Sequence, residues 1–181
     1  MPAPMRRAAV LTALAIGSFA VAPPMTFASD PPAAPRRIPC SRPEFRQFDF
    51  WLGDWVVTTP DGKPAGTNLV SRPLGQCVLQ EHWQGEGGMA GESYNIYDRI
   101  GGHWHQTWVD DQGTYLSLEG GLVGGNMVLT GPARLLGGKP TIDRITWRPV
   151  SADEVHQEWD QSSDGGTNWT SAFHGVYRRR R

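Results

Sequence analysis

Three short steps in this chain alternate a polar side chain with a tryptophan: Glu81-His82-Trp83, Gln106-Thr107-Trp108 and Gln157-Glu158-Trp159. In extended backbone, residues two apart share a face. Each step therefore sets a carboxylate or an amide beside an indole. Ser93, Asn95 and Tyr97 alternate in the same way, and Trp104 falls on the face of Gln106 and Trp108. Large aromatics gain more from burial than the His, Thr and Glu residues between them, so the Trp faces are expected to point inward. An interior so lined suits a small molecule: rings stack on a flat or partly apolar body while Gln106, Asn95 and Gln157 fix its polar end. The candidate ligand-binding residues are Glu81, Trp83, Ser93, Asn95, Tyr97, Trp104, Gln106, Trp108, Gln157 and Trp159.

Other chemistries find less support. Glu81, buried beside Trp83, would have the shifted acidity of a general acid or base, as in a cyclase or isomerase. It has no partner carboxylate on its face. His103 and His105 have the i, i+2 spacing of strand-borne metal ligands, with His156 or Glu158 as a third. They alternate with the Trp face, which predicts histidines facing solvent. His174 alternates with Trp169, Phe173 and Tyr177 and should face outward. The chain has no Gly-x-Ser-x-Gly, no His-Glu-x-x-His and no reactive Cys/His pair. No catalytic residue, metal or cofactor is therefore assigned, and an interaction module without a small ligand is the competing function. A lumen with open space favours binding; a filled one favours interaction.

These residues need a scaffold, and the 181-residue chain supplies one after a leader. Arg6 and Arg7 precede an apolar run over 8–21, and Thr26-Phe27-Ala28 ends with small residues at the recognition positions. That is the order of a secretory signal, expected over 1–28, and the run is too short to span a membrane stably. Residues 29–43 read as a Pro- and Ala-rich lead-in, and 44–181 as one domain. Without Arg6 and Arg7, fifteen basic side chains face eighteen acidic ones, which is not a nucleic-acid footprint. The expected location is periplasmic or secreted, with no stable membrane insertion. Cys40 and Cys77 are the only cysteines, and in an exported chain the pair predicts a disulfide.

The domain is organised around Phe48-Asp49-Phe50-Trp51-Leu52-Gly53-Asp54-Trp55. Its bulky residues cannot share one face of a short strand. A helical turn leading into a strand is expected, with Gly53 permitting the bend. Strand patterns follow over 56–59, 67–72, 77–84, 92–97, 103–109, 115–119, 127–129, 141–149, 155–161 and 169–177, separated by Gly, Pro and Asp turns. About ten strands at regular spacing, with no long helical pattern, predict an all-β fold. The expected architecture is a single antiparallel up-and-down barrel closed by the aromatic segment.

Gly53-Asp54-Trp55 near the start of a small secreted β protein resembles the lipocalin and calycin signature. There the Trp closes the barrel base and a basic residue late in the last strand packs on it; Arg178 or Arg179 is placed for that role. Adding Phe48-Asp49-Phe50-Trp51, Gln106-x-Trp108-x-Asp110 and Ser163-Asp164-Gly165-Gly166-x-x-Trp169, the chain resembles a bacterial family of uncharacterised lipocalin-like proteins over nearly all of its mature length. Ten strands are closer to the fatty-acid-binding and nitrobindin-like branches. The resemblance implies a barrel more than an activity. Ser162-Ser163-Asp164-Gly165-Gly166-Thr167-Asn168-Trp169 also resembles the Asp-box of sialidases, but as a single copy it reads as a structural hairpin. The expected function is an exported protein holding a small lipophilic or aromatic molecule.

Overall fold

A chain whose turns fall every eight to twelve residues, and whose apolar residues alternate, buries one face of each strand by curling the sheet on itself. The computed structural model describes residues 40–181 and shows this arrangement. The expected signal and most of the lead-in lie outside the described residues. The strands are β1 (Gly53–Thr58), β2 (Pro64–Ser71), β3 (Val78–Gly85), β4 (Ala90–Asp98), β5 (His103–Asp110) and β6 (Tyr115–Val123). They continue as β7 (Asn126–Thr130), β8 (Arg134–Leu136), β9 (Lys139–Ser151), β10 (Glu154–Ser162) and β11 (Thr170–Arg179). All pairings are antiparallel, and β10 pairs with both β9 and β11, so ten strands close into a barrel. Among the described strands closure leaves a free edge only along β8, which hangs on β9 outside the ring.

β8 is the one strand the sequence pattern did not give. The stretch between the strand patterns at 127–129 and 141–149, with its Gly137-Gly138, reads from the sequence as a long loop. Both glycines have positive φ, 56° and 80°, the backbone of a tight hairpin turn, which pairs Arg134–Leu136 with the start of β9.

The aromatic segment plugs one end. Short 3-10 turns at Pro43–Arg46 and Asp49–Trp51 precede β1. Phe48 and Trp51 are fully buried and stacked, with centroids 5.0 Å apart. The Phe48 ring also meets Trp104 and Trp147 edge-on at 5.6 and 5.1 Å. Each such tryptophan removes roughly 200 Å² from water, worth at most about 4–5 kcal/mol. Outside the plug, Asp49 pairs with Arg72 and, at 4.0 Å, with Arg46. The Cys40–Cys77 disulfide ties the start of this segment to the turn before β3. Among the described residues no helix is long and apolar enough to cross a membrane.

Candidate functional site

Because the strands alternate, the plugged end and the opposite end are joined by layers of inward side chains. Phe48, Trp51, Trp55, Trp104 and Trp147 fill the lowest layer and are fully buried. Above them runs a polar layer of Asn68, Glu81, Ser93, Asn95, Gln106 and Gln157, all buried, with Tyr177 among them. Trp83, Trp108, Trp159 and Phe173 stand above the polar layer. The three polar-x-Trp steps thus do the same thing on β3, β5 and β10: one polar group in the middle layer, one indole above it.

Between the polar layer and the indoles lies a cavity of about 240 Å³. At ~30 Å³ per water that is room for about eight waters, or one small ring-bearing molecule. Glu81, Gln106, Gln157 and Tyr177 supply its polar wall; Trp83, Trp108, Trp159 and Phe173 with Met89, Leu116, Ile145 and Ala172 supply the rest. Two glycines make room for the rings. A side chain at Gly91 would run into the Trp108 ring, and one at Gly175 would meet Phe173 and Tyr177 at 2.8 Å. Trp83 meets Phe173 edge-on at 5.9 Å and Tyr177 at 6.5 Å.

Six of the ten residues picked from the sequence line this cavity: Glu81, Trp83, Gln106, Trp108, Gln157 and Trp159. Four do not, and each is engaged by the protein itself. The indole of Trp104 donates to Gln47 of the plug at 3.1 Å, and Tyr97 packs edge-on against Phe45 at 5.3 Å, so both belong to the sealed end. Ser93 donates to Glu81 at 2.7 Å, and Asn95 accepts from the Gln106 amide at 2.8 Å. These two act behind the wall and hold it in place. Period-two counting puts side chains on the inner face, but it does not say at which height along the barrel they sit. Met89, Leu116, Ile145, Ala172, Phe173 and Tyr177 were not among the picked residues, although Phe173 and Tyr177 already shared an aromatic face in the sequence.

Glu81 is the chemically distinctive member. Its side chain is buried, with Asn68 donating to Oε1 at 2.8 Å and Ser93 to Oε2. Burial raises its pKa to about 7, against the opposing pull of the Ser93 and Asn68 hydrogen bonds. The Tyr177 hydroxyl donates to Gln157 Oε1, and burial together with the charge of Glu81 pushes its pKa well above the ordinary phenol value. Gln106 donates to Asn95, and its own carbonyl oxygen is buried without a partner.

The indoles at the mouth are oriented by carboxylates. Trp108 Nε1 donates to Asp110 at 3.3 Å. Trp159 Nε1 donates at 2.8 Å to Asp143, a buried carboxylate that also accepts from Gln161 and forms an ion pair with Arg134 at 2.6 Å. The eighth strand therefore has a role at the site. It carries the arginine that compensates Asp143, which in turn fixes Trp159.

The histidines lie elsewhere. His103 and His105 face outward and approach Glu119 at 3.5 and 3.7 Å. Their suggested third partners, His156 and Glu158, are on β10, with β6, β7 and β9 between. Among the described residues no three His, Cys, Asp or Glu groups converge as a metal site would need. His174 turns outward against His156, with ring centroids 5.9 Å apart. In the 162–169 hairpin, Asp164 accepts from the backbone N–H and the side-chain amide of Asn168, from Ser162 Oγ and from the Thr167 N–H, and these bonds lower its pKa to about 2. Trp169 folds back to donate to the Gly166 carbonyl at 3.0 Å, under the guanidinium of Arg144.

No protein-family model matches the chain, and no curated protein matches it.

Proposed function

We propose that this is an exported binding protein that holds one small, partly apolar molecule in the aromatic-lined lumen of its barrel. The observation that carries the reading is the cavity itself. A barrel plugged at one end by fully buried aromatics keeps open space near the other, walled by three indoles and by Glu81, Gln106, Gln157 and Tyr177. Apolar walls with a few convergent polar groups are the composition of ligand pockets. A barrel built only to present its outer surface would gain stability by filling that space. Export is supported by the Arg6-Arg7 leader pattern and by the Cys40–Cys77 disulfide, which belongs to an oxidising compartment. The lipocalin-like resemblance fits the same reading: β1 opens with Gly53-Asp54-Trp55 and a basic residue of the last strand lies on Trp55.

The test is steady-state tryptophan emission during titration with a panel of small lipophilic and aromatic compounds, with a native mass spectrum of protein taken from its own periplasm. Binding should quench or shift the emission of Trp83, Trp108 or Trp159, and a co-purifying mass should appear. If no compound changes the emission and no added mass is seen, the reading gives way to an interaction module.

A further inference from the structure

Among the described residues Glu81 has two hydrogen-bond donors and no cation. Asn68 and Ser93 occupy one lone pair on each oxygen, and both are neutral. None of the residues lining the cavity is basic. Asn68 from β2 and Ser93 from β4 are bonded to Glu81, Gln106 from β5, Gln157 from β10 and Tyr177 from β11 share the cavity wall with it, and Asn95 from β4 bonds Ser93 behind that wall. Only Tyr177 among them titrates, and it stays a neutral phenol. His82, next in sequence, is on the outer face with Glu92 at 3.1 Å. Asp143, higher up beside Trp159, has Arg134 as its own counter-ion.

A buried carboxylate without a counter-charge is costly, and proteins either pair it or keep it neutral. Here the two donors are arranged for the ionised form, while the charge that would complete the arrangement is missing from the wall. What stands opposite is aromatic: Trp83, Trp108, Trp159 and Phe173. Indole faces attract cations, and an aromatic cage with one carboxylate is a recognised way to hold an ammonium. An anionic ligand would meet Glu81 with no basic group to receive it.

We propose that the ligand is an organic monocation, a protonated amine carried on a flat apolar body, with its ammonium on Glu81 and its body among Trp83, Trp108, Trp159 and Phe173. The proposal rests on the small-molecule reading above and names the class of molecule. Binding would draw Glu81 into its ionised form. Below neutral pH the carboxyl proton must leave to solvent as the amine enters, so amine binding should be tighter at higher pH. With a carboxyl pKa of about 7, the ionised fraction and hence the affinity should rise about tenfold from pH 6 to pH 8, as long as the amine stays protonated.

Three probes with one ring and similar chains separate the possibilities: 2-phenylethylamine, 2-phenylethanol and 3-phenylpropionate. Each is titrated by tryptophan emission at pH 6 and pH 8 into wild type and Glu81→Gln. The expected result is that the amine binds more tightly than the alcohol, the propionate binds weakest, and the amine gains about tenfold between the two pH values. Glu81→Gln should remove that gain and bring the amine to the level of the alcohol. An unchanged circular dichroism spectrum shows that the variant is folded. Calorimetry in two buffers of different ionisation enthalpy should show proton release on amine binding near pH 7. If the alcohol or the propionate binds as tightly as the amine, and Glu81→Gln changes nothing, the cation is wrong while the small-molecule reading stands. If none of the three binds, the cation assignment falls, and the wider panel decides the small-molecule reading separately.

Discussion

The guanidinium of Arg179 lies over the Trp55 ring, 4.4 Å from its centroid, and the two are directly paired across β1 and β11. The same guanidinium donates to the carbonyls of Leu52 at 3.1 Å and Ala152 at 3.0 Å. One side chain thus joins the first strand, the last strand and the β9–β10 turn at the plugged end. Of the two arginines that the sequence left open for this role, Arg178 points outward to Glu154. Gly53 is part of the arrangement: its φ is +147°, and a Cβ there would collide with the Arg179 guanidinium.

Arg179→Met should therefore destabilise the protein by roughly 1–3 kcal/mol, from the cation–π contact and the two carbonyl hydrogen bonds. Gly53→Ala should cost a similar amount by displacing the same group, and the double variant should lose less than the sum of the two. Urea unfolding followed by tryptophan emission measures all three. Strict additivity would mean that Gly53 and Arg179 do not act through one another.

The disulfide makes a second prediction. Cys40 and Cys77 are 37 residues apart, and closing a loop of that length limits the unfolded chain by roughly 4 kcal/mol. Reduction, or a Cys40→Ser/Cys77→Ser double variant, should lower stability by about 2–4 kcal/mol. Emission from the cavity tryptophans should change little in the folded state, because the bridge lies at the plugged end. Thiol labelling of unreduced, denatured protein should find no free thiol.

The sequence and the structure agree on what periodicity can carry and part where height and long-range partners matter. Alternation located ten strands and the inward Trp faces, because those follow from burying one side of a pleated sheet, and the plug was legible because the bulky run from Phe48 to Trp55 breaks that alternation. Alternation is blind to position along the barrel axis. It could not separate Trp104, taken up by Gln47 of the plug, from Trp108 at the cavity. Nor could it show that Asn95 spends its oxygen on Gln106. β8 was hidden because three residues beside a glycine pair carry no pattern of their own. Arg134 could not be matched to Asp143 without the fold that brings them together.

That pair yields a third prediction. Arg134 is the counter-ion of a carboxylate whose side chain is only 2% exposed and which holds the Trp159 indole. Removing one partner of a buried pair leaves the other charge uncompensated. Arg134 is itself partly exposed, so Arg134→Ala should cost roughly 1–3 kcal/mol, less than a fully buried pair would. Trp159 should lose its fixed orientation, visible as a change in near-ultraviolet circular dichroism, and any lumen ligand should bind more weakly. An unchanged near-ultraviolet spectrum with unchanged stability would show that Asp143 does not depend on β8.

Glu81 gives the last prediction, for the protein without ligand. Burial raises its pKa from 4.5 to about 7 in the folded state. Between those values the folded protein holds a proton that the unfolded chain has released. Stability is therefore greatest below pH 4.5 as far as this group is concerned, falls as pH rises to about 7, and levels off above it. The loss across that window is roughly 3 kcal/mol at most. Glu81→Gln keeps the shape, can still accept from Asn68 or Ser93, and carries no charge at any pH. Its stability should lack this slope, so that above pH 7 the variant unfolds at higher urea than wild type, while below pH 4.5 the order narrows or reverses. Parallel pH profiles for the two proteins would mean that Glu81 has an ordinary acidity in the folded barrel. A cationic ligand should act in the opposite direction, stabilising wild type most where the free carboxylate costs most. The site residue is thus expected to weaken the empty barrel and to strengthen the filled one.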